Sequence, residues 1–287
     1  MEPGPPKSSM LRDTDAKLRI YFLPNLLTAG NLFCGFLALT KIVEADPATA
    51  NFNSNIRHAI FFILLALIFD MFDGRVARMG GRESPFGREF DSLADLISFG
   101  AAPAFLVHHI ILKDVFKDLP RLGWIIAAIY LICGAFRLAR FNCLAAMAGT
   151  GGGKEFLGFP IPAAAGLVSS LTLFLLWVEE KGFSVGKWGF LLPAIMVFLS
   201  LMMVSEVKYP TFKSLDFRAK RSFTKMVVIV LLVACVVILW ERIKHFVLPI
   251  LFTAYLVYGF IRPRISRKVR DEIEEEEDTE DEPDAPG

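Results

Sequence analysis

Apolar residues dominate this chain in long blocks that are separated by short polar segments. A helix that spans a bilayer needs ~17–25 mostly apolar residues, and eight blocks meet that length. They cover residues 20–43, 56–79, 89–113, 121–146, 156–178, 186–207, 223–241 and 245–262. The pattern predicts an all-α integral membrane protein, a bundle of about eight transmembrane helices at 20–262. Polar tails at 1–19 and 263–287 flank this domain.

Composition supports the membrane assignment and narrows the candidate chemistry. The chain is 54% hydrophobic with a mean hydropathy of +0.49, above the ~45–50% apolar content of soluble domains. Its four cysteines show no CxxC spacing, and all four lie within predicted spans. A disulfide framework or a zinc site is therefore not expected.

The distribution of basic residues predicts an orientation. With the N-terminus inside, roughly seven in ten of the 31 lysines and arginines lie on the cytoplasmic side, as the positive-inside rule requires. Both termini and the polar connection after residue 79 are then cytoplasmic, and the cell inner membrane is the expected location. The basic segments 206–221 and 262–270 fit attraction to anionic headgroups, and no nucleic-acid partner is expected.

Polar residues also mark the start of the first apolar block. Asn25 and Thr28 share a helix face, and Gly30 and Asn31 follow. One interpretation is helix capping and close packing through small residues. The other is that this polar end lines a pocket for a polar ligand.

Four aspartates lie at or just inside the facing ends of the second and third blocks. Residues spaced by three or four share one helix face, so each of these ends presents an acidic stripe. The stripes consist of Asp70, Asp73, Gly74, Ala77 and Arg78, and of Gly87, Asp91 and Asp95. The connection between them is short and marked by Gly and Pro. We therefore expect two antiparallel helices whose stripes face each other.

These stripes predict a metal site at a membrane face. A charge in hydrocarbon costs ~2.5–3.5 kcal/mol on insertion scales, and four like charges require cations nearby. Carboxylates suit two Mg²⁺ or Mn²⁺ ions, which together form a clamp for displacement at phosphorus. The predicted ligands are Asp70, Asp73, Asp91 and Asp95. The alternative is a structural ion-pair network in which nearby arginines neutralise the acids, namely Arg75, Arg78, Arg82 and Arg88.

Three further polar residues near this membrane face are candidates for binding a second substrate. Ser98 lies one turn beyond Asp95, where it either faces the site or bonds to backbone. Arg137 and Arg140 lie in the last turn of the fourth block. They are either interfacial anchors or the receptor for an anionic group.

The spacing of the acidic stretch resembles the signature of the CDP-alcohol phosphotransferase family. All eight of its fixed positions occur within 26 residues: Asp70, Asp73, Gly74, Ala77, Arg78, Gly87, Asp91 and Asp95. Segments such as P-N-L-L-T-A-G-N, C-G-A-F-R-L-A-R-F-N and G-F-P-I-P-A-A-A-G are similar to the membrane-bound phosphatidylserine synthases within that family. This wider resemblance covers roughly residues 20–215.

The resemblance implies an enzyme that moves a phosphatidyl group from CDP-diacylglycerol to L-serine and releases CMP. It implies that Asp95 is the general base and that the four aspartates hold the metals. It further implies contacts to the CDP-lipid from Asp70, Asp73, Gly74, Ala77, Arg78, Ser84 and Gly87. Arg137, Arg140 and Ser98 are the candidate acceptor contacts from the residue pattern, and the resemblance implies a homodimer.

Two alternatives remain open from the sequence. The first is the same chemistry with another acceptor, such as glycerol 3-phosphate or inositol phosphate. The second is a cation transporter whose intramembrane aspartates bind the transported ion. Transporters of that kind carry acids near the bilayer midplane and internal repeats, whereas these acids cluster at one face and are not repeated in the second half.

Overall fold

The structure is a computed structural model, and it describes residues 22–79, 84–147, 155–182, 189–210 and 245–258. The described residues form a helical bundle with one short pair of strands. The helices are α1 (Phe22–Val43), α2 (Phe52–Met79), α3 (Pro85–Val115), α4 (Pro120–Met147), α5 (Ile161–Glu180), α6 (Leu191–Val204) and α7 (His245–Tyr258). The strands are β1 (Glu155–Leu157) and β2 (Lys208–Pro210), which pair antiparallel.

Five of the described helices, α1 to α5, are long and apolar enough to cross a membrane. The predicted all-α membrane architecture is therefore confirmed, although the described residues do not show eight spans. Helices α6 and α7 are shorter apolar helices, and the predicted span 223–241 lies outside the described residues. Helix α6 has 14 residues, or about 21 Å at 1.5 Å per residue, against a hydrocarbon core of ~30 Å. It ends because Ser205 adopts an extended conformation and leads the chain towards β2.

Helices α1 and α2 form an antiparallel pair joined by a short loop. Their shared interface consists of small and branched apolar side chains, including Ala38, Ile42, Ile56, Ile60 and Ile63, each at most 1% exposed. Because the two helices run in opposite directions, the polar start of α1 lies beside the acidic end of α2. Helix α3 packs against α1 at this same end.

Helix α3 is not uniformly α-helical. It contains two π-helical segments, Leu96–Ala101 and His108–Leu112, and the first begins directly after the second acidic stripe. Pro103 has no backbone N–H, so the carbonyl of Phe99 lacks its usual donor four residues on. The hydroxyl of Tyr130 on α4 donates to that carbonyl at 3.2 Å. The sequence predicts a kink at Pro103, and the structure places a π-helical turn just before it, a feature often found at functional sites.

The short strands bring the segment after α4 against the end of α6. Gly158 follows β1 and has a φ of +80°, a conformation that favours glycine. A Cβ atom at this position would also overlap the carbonyl of Met203. The N–H groups of Gly158 and Phe159 donate to the carbonyls of Val207 and Met202, at 2.9 and 3.0 Å. These contacts fix the start of α5 beside the end of α6.

Candidate active site

Three of the predicted aspartates converge where α2 ends and α3 begins. Asp70, Asp91 and Asp95 each offer an oxygen, and these atoms lie within 4.8 Å of one another. Asp95 is buried, with 6% of its surface exposed, and the other two are half-buried. Residues 21 to 25 positions apart in the sequence therefore meet because two antiparallel helices present them at the same level.

The fourth predicted ligand, Asp73, lies beside this group rather than within it. It is 4% exposed, and its charge interacts with those of Asp70 and Asp91. The Thr28 hydroxyl is 3.0 Å from Asp73 Oδ2 and 3.2 Å from the carbonyl of Pro24. A residue from α1 thus fixes the orientation of Asp73 without neutralising its charge.

A second residue from α1 fixes Asp95. The side-chain amide of Asn31 donates from Nδ2 to Asp95 Oδ1 at 3.0 Å, and Asn31 is fully buried. The hydroxyl of Ser98 donates to the backbone carbonyl of Asn31 at 2.9 Å, so the interpretation that Ser98 bonds to backbone is confirmed. The close approach depends on Gly35, because a Cβ there would overlap Ser98 Oγ and lie 2.9 Å from Ser98 Cα.

The start of α3 is capped in a way that its sequence explains. Ser84 is the N-cap residue and accepts a hydrogen bond from the Gly87 N–H at 3.0 Å, with Pro85 in the first helical position. This is a favoured arrangement for beginning a helix. A Cβ on Gly87 would lie 3.3 Å from Asn25 Oδ1. Ser84 and Gly87 therefore lie beside the polar start of α1, and their predicted contact with CDP stays a prediction.

The remaining predicted CDP contacts lie on the last turns of α2. Gly74 is half-buried. Ala77 and Arg78 belong to the helix, but their side chains lie outside the described part of the structure, as does Arg82. Their predicted roles, including the ion-pair alternative, stay predictions.

The two candidate arginines of α4 have different surroundings although they share a helix face. Arg140 donates to the carbonyls of Met203, Val204 and Ser205 at 3.4, 2.8 and 3.0 Å. It thereby caps the end of α6, as a cation at a helix C-terminus can. Arg137 is 7% exposed and lies within electrostatic range of Asp95 and Asp70. Arg137 is thus the arginine placed towards the acidic group.

Asn142, two residues beyond Arg140 on α4, ties this helix to α3. Its amide nitrogen contacts Glu89 Oε2 at 3.2 Å and Ser92 Oγ at 3.0 Å. Both partners lie within the turns of α3 that carry Asp91 and Asp95. The orientation of the acidic stripe of α3 is therefore set by α1 on one side and α4 on the other.

The donor set fits a hard divalent cation. It consists of carboxylate oxygens at distances that one ion or an adjacent pair can bridge. Like charges gathered in a low-dielectric setting repel strongly, and a cation relieves that repulsion. The site therefore has the chemistry of a phosphate-handling centre, with a buried carboxylate and a buried guanidinium close by.

Comparison with known proteins assigns this architecture to a family. The chain matches the CDP-alcohol phosphatidyltransferase family over residues 21–261. The chain belongs to that family. The match confirms the family predicted from the acidic stretch, and it favours a transferase over the cation-transporter alternative.

Several curated proteins are similar over most of this chain. A CDP-diacylglycerol–serine O-phosphatidyltransferase of Helicobacter pylori (strain ATCC 700392 / 26695) is 34% identical over 243 residues, which is 85% of this chain and 91% of the relative. The protein of that name from Bacillus subtilis (strain 168) is 34% identical over 67% of this chain and 92% of its own length. An archaetidylserine synthase of Methanothermobacter thermautotrophicus is 35% identical over 66% of this chain and 69% of its own length.

The structure adds two residues that were not predicted as site residues. Thr28 and Asn31 were recognised in the sequence only as a polar end with two open interpretations. The sequence feature that could have revealed them is their position, since hydrogen-bonding side chains three residues apart in an apolar helix need partners. Their partners turn out to be two of the four aspartates.

Proposed function

We propose that this chain transfers the phosphatidyl group of CDP-diacylglycerol to L-serine, giving phosphatidylserine and CMP. The observation that carries the proposal is the convergence of Asp70, Asp91 and Asp95 in a member of this family. Relatives named for the serine reaction match most of the chain, which supports serine as the acceptor.

The proposed cofactor is a pair of Mg²⁺ or Mn²⁺ ions held by Asp70, Asp73, Asp91 and Asp95. When bound, such ions neutralise the diphosphate and stabilise the departing CMP. Support for the assignment comes from the oxygen-only donor set and from the short separations within it.

The proposed role of Asp95 is to accept the proton of the serine hydroxyl. The hydroxyl oxygen then forms a bond to the phosphorus that carries the lipid, the bond from that phosphorus to the CMP oxygen breaks, and CMP leaves with the electron pair. Asn31 supports this role, because its N–H holds one carboxylate oxygen of Asp95 and leaves the other for the proton. General-base catalysis of this kind contributes about 10²–10⁴-fold.

The acceptor pocket is proposed to lie between Asp95 and Arg137. A buried guanidinium is a strong partner for a carboxylate such as that of serine, and Arg137 is buried near the acids. Ser98 and Arg140 are further acceptor candidates from the sequence. The Ser98 hydroxyl and the Arg140 guanidinium donate to backbone carbonyls. Arg137 is the better-supported contact because it is buried within electrostatic range of Asp95 and Asp70.

The CDP-lipid is proposed to contact Asp70, Asp73, Gly74, Ala77, Arg78, Ser84 and Gly87. Gly74 and Ala77 are small enough to let a nucleotide approach, and the Arg78 guanidinium can form a fork with phosphate. We propose that the site opens to the cytoplasm in the cell inner membrane, with both termini on that side. The acyl chains then stay in the bilayer, and the enzyme acts as a homodimer.

An acceptor panel tests the reaction. The purified protein, with CDP-diacylglycerol and Mg²⁺ or Mn²⁺, is offered L-serine, glycerol 3-phosphate or inositol phosphate, and CMP release is measured. We expect release with serine, and loss of that release in Asp95→Asn with metal-dependent binding of the CDP-lipid retained.

The panel separates the proposal from its closest alternative. If serine is inert and another alcohol reacts, the chemistry stands and the acceptor assignment is wrong. Normal turnover of Asp95→Asn would refute Asp95 as the base. Glu180→Gln is the matched carboxylate-to-amide control. Glu180 is exposed at the C-terminal end of α5, away from the candidate site, and this change should leave CMP release unchanged.

A further inference from the structure

Asn31 has one half of its amide group bound and the other half unused. Nδ2 donates to Asp95 Oδ1 at 3.0 Å. The nitrogen must be the atom that faces Asp95, because an ionised carboxylate offers only acceptors. Oδ1 of Asn31 is buried and finds no donor among the residues that the structure describes. A buried acceptor without a donor is unfavourable and indicates a missing partner.

The position of this oxygen identifies where the missing partner belongs. The two heteroatoms of a planar amide are about 2.2 Å apart, so Asn31 Oδ1 lies close to the Asp95 carboxylate as well. Asp95 is 6% exposed and Arg137 is 7% exposed, so the missing partner belongs on the buried side of the acidic group. A group that reaches Asp95 there also comes within reach of Asn31.

We propose that Asn31 recognises the amino group of the acceptor through Oδ1. This proposal rests on serine as the acceptor. In a staggered conformer of serine the ammonium nitrogen is roughly 3 Å from the hydroxyl oxygen. With the hydroxyl against Asp95, the ammonium group therefore falls within hydrogen-bond reach of Asn31 Oδ1.

The charges around the site suit the three groups of the amino acid. The ammonium group is drawn to the side that holds Asp70, Asp91 and Asp95. The carboxylate is drawn to the buried guanidinium of Arg137, which acts on the acids from α4. The hydroxyl lies between them at Asp95. In this arrangement Asn31 Nδ2 orients the base, Asp95. Asn31 Oδ1 distinguishes an amino acid from a hydroxy acid that lacks the amino group.

The test compares L-serine with 3-hydroxypropanoate, which is serine without its amino group. A site built to hydrogen-bond a polar group strongly rejects the analogue that lacks it, so the wild type should prefer serine by about 100-fold or more in kcat/KM. In Asn31→Ala that preference should fall about tenfold or more. The KM for serine should rise at least ~10-fold, while the KM for CDP-diacylglycerol stays within about 2-fold.

A purely structural role for Asn31 predicts a different result. Misplacing Asp95 would lower kcat for both acceptors by the same factor, leaving their ratio and the KM for serine unchanged, and that outcome overturns the proposal. So does a wild type that uses 3-hydroxypropanoate as well as serine, a result that needs no variant. Asn31→Leu, which keeps the branched shape of the side chain without its polar atoms, gives the same readouts if the alanine variant does not fold.

One control variant and two distinguishable outcomes complete the design. Ser200→Ala removes a buried polar group that donates to the carbonyl of Met196 within its own helix at 2.7 Å. It should leave the kcat/KM values for both acceptors unchanged. If the wild type does not use serine at all, the proposed function fails. If it does use serine and the ratio is unaffected by Asn31→Ala, only the recognition role fails.

Discussion

The two ends of the helix bundle treat charge in opposite ways. At the end opposite the candidate site, several described charges form exposed pairs with opposite charges. Lys41 lies 2.6 Å from Glu44, and Arg57 contacts Glu180, with side chains 33–48% exposed. At the site end, Asp70, Asp91 and Asp95 bring like charges within 4.8 Å of one another.

This contrast separates charges that tolerate water from charges that serve a ligand. Exposed ion pairs contribute ~0–1 kcal/mol, so the far end gains little from its charges. The carboxylates at the site end destabilise the fold, because like charges repel strongly in a medium of low dielectric constant. The groups from α1 that contact Asp73 and Asp95 are a hydroxyl and an amide. These neutral donors orient the acids and preserve their negative charge for cations.

The largest expected effect comes from removing one charge of the acidic group. Asp91→Asn keeps the size of the side chain and weakens the proposed hold on the metals, so we expect CMP release to fall by about 10²–10³-fold, the scale for losing one electrostatic contact to a transition state. The measurement is CMP release at saturating CDP-diacylglycerol, serine and Mg²⁺ or Mn²⁺.

The matched change at the far end is Glu180→Gln. It makes the same chemical replacement at an exposed carboxylate, and activity should change by less than about twofold, since exposed pairs contribute little. Equal effects of the two substitutions would show that the two ends do not differ in the way described.

A smaller effect, on stability, is expected where α1 and α3 approach closely. In Gly35→Ala the new methyl group would overlap Ser98 Oγ and lie 2.9 Å from Ser98 Cα. Because the backbone of α3 must move, we expect the free energy of unfolding in detergent to fall by about 1–3 kcal/mol. Activity should fall too, since the same approach brings Asn31 to Asp95.

Gly30→Ala on the same helix is the control for this prediction. It gains the same helix propensity, ~1 kcal/mol, but its methyl group meets the ring of Phe69 at 3.1 Å. A side-chain ring can rotate away, whereas the backbone of α3 cannot. If the two variants are equally stable, the α1–α3 contact is looser than the structure indicates.

The sequence predicts those parts of the site that depend on local helix geometry. Asp91 and Asp95 are one turn apart, and a short connection places α3 beside the end of α2. Periodicity alone therefore predicted that acids from both helices would meet. The family resemblance predicted the reaction that they support. The bonds from α1 were beyond this reasoning, because Asn31 and Asp95 are 64 positions apart and only tertiary packing decides which face of α1 meets α3.

Tertiary packing also determines the surroundings of the two arginines and the π-helical segments, so the sequence did not predict either. Arg137 and Arg140 share an i,i+3 face, so spacing could not show that one approaches the acids while the other caps α6. An assumed period of 3.6 residues also misses the π-helical turn at Leu96–Ala101. Such turns depend on contacts such as Tyr130 to Phe99, which join different helices.

The smallest expected effect tests whether the exposed charges at the far end contribute to stability or activity. Arg57→Ala removes a guanidinium that is 46% exposed and contacts Glu180. Exposed pairs contribute ~0–1 kcal/mol, so the free energy of unfolding should fall by less than about 1 kcal/mol and the kcat for CMP release should be unchanged. Arg57→Lys keeps the charge and checks whether any loss comes from charge or from packing of the side-chain stem. A loss of activity on the scale of Asp91→Asn would mean that charge at the far end is coupled to the site, and the two ends would then have to be treated as one electrostatic unit.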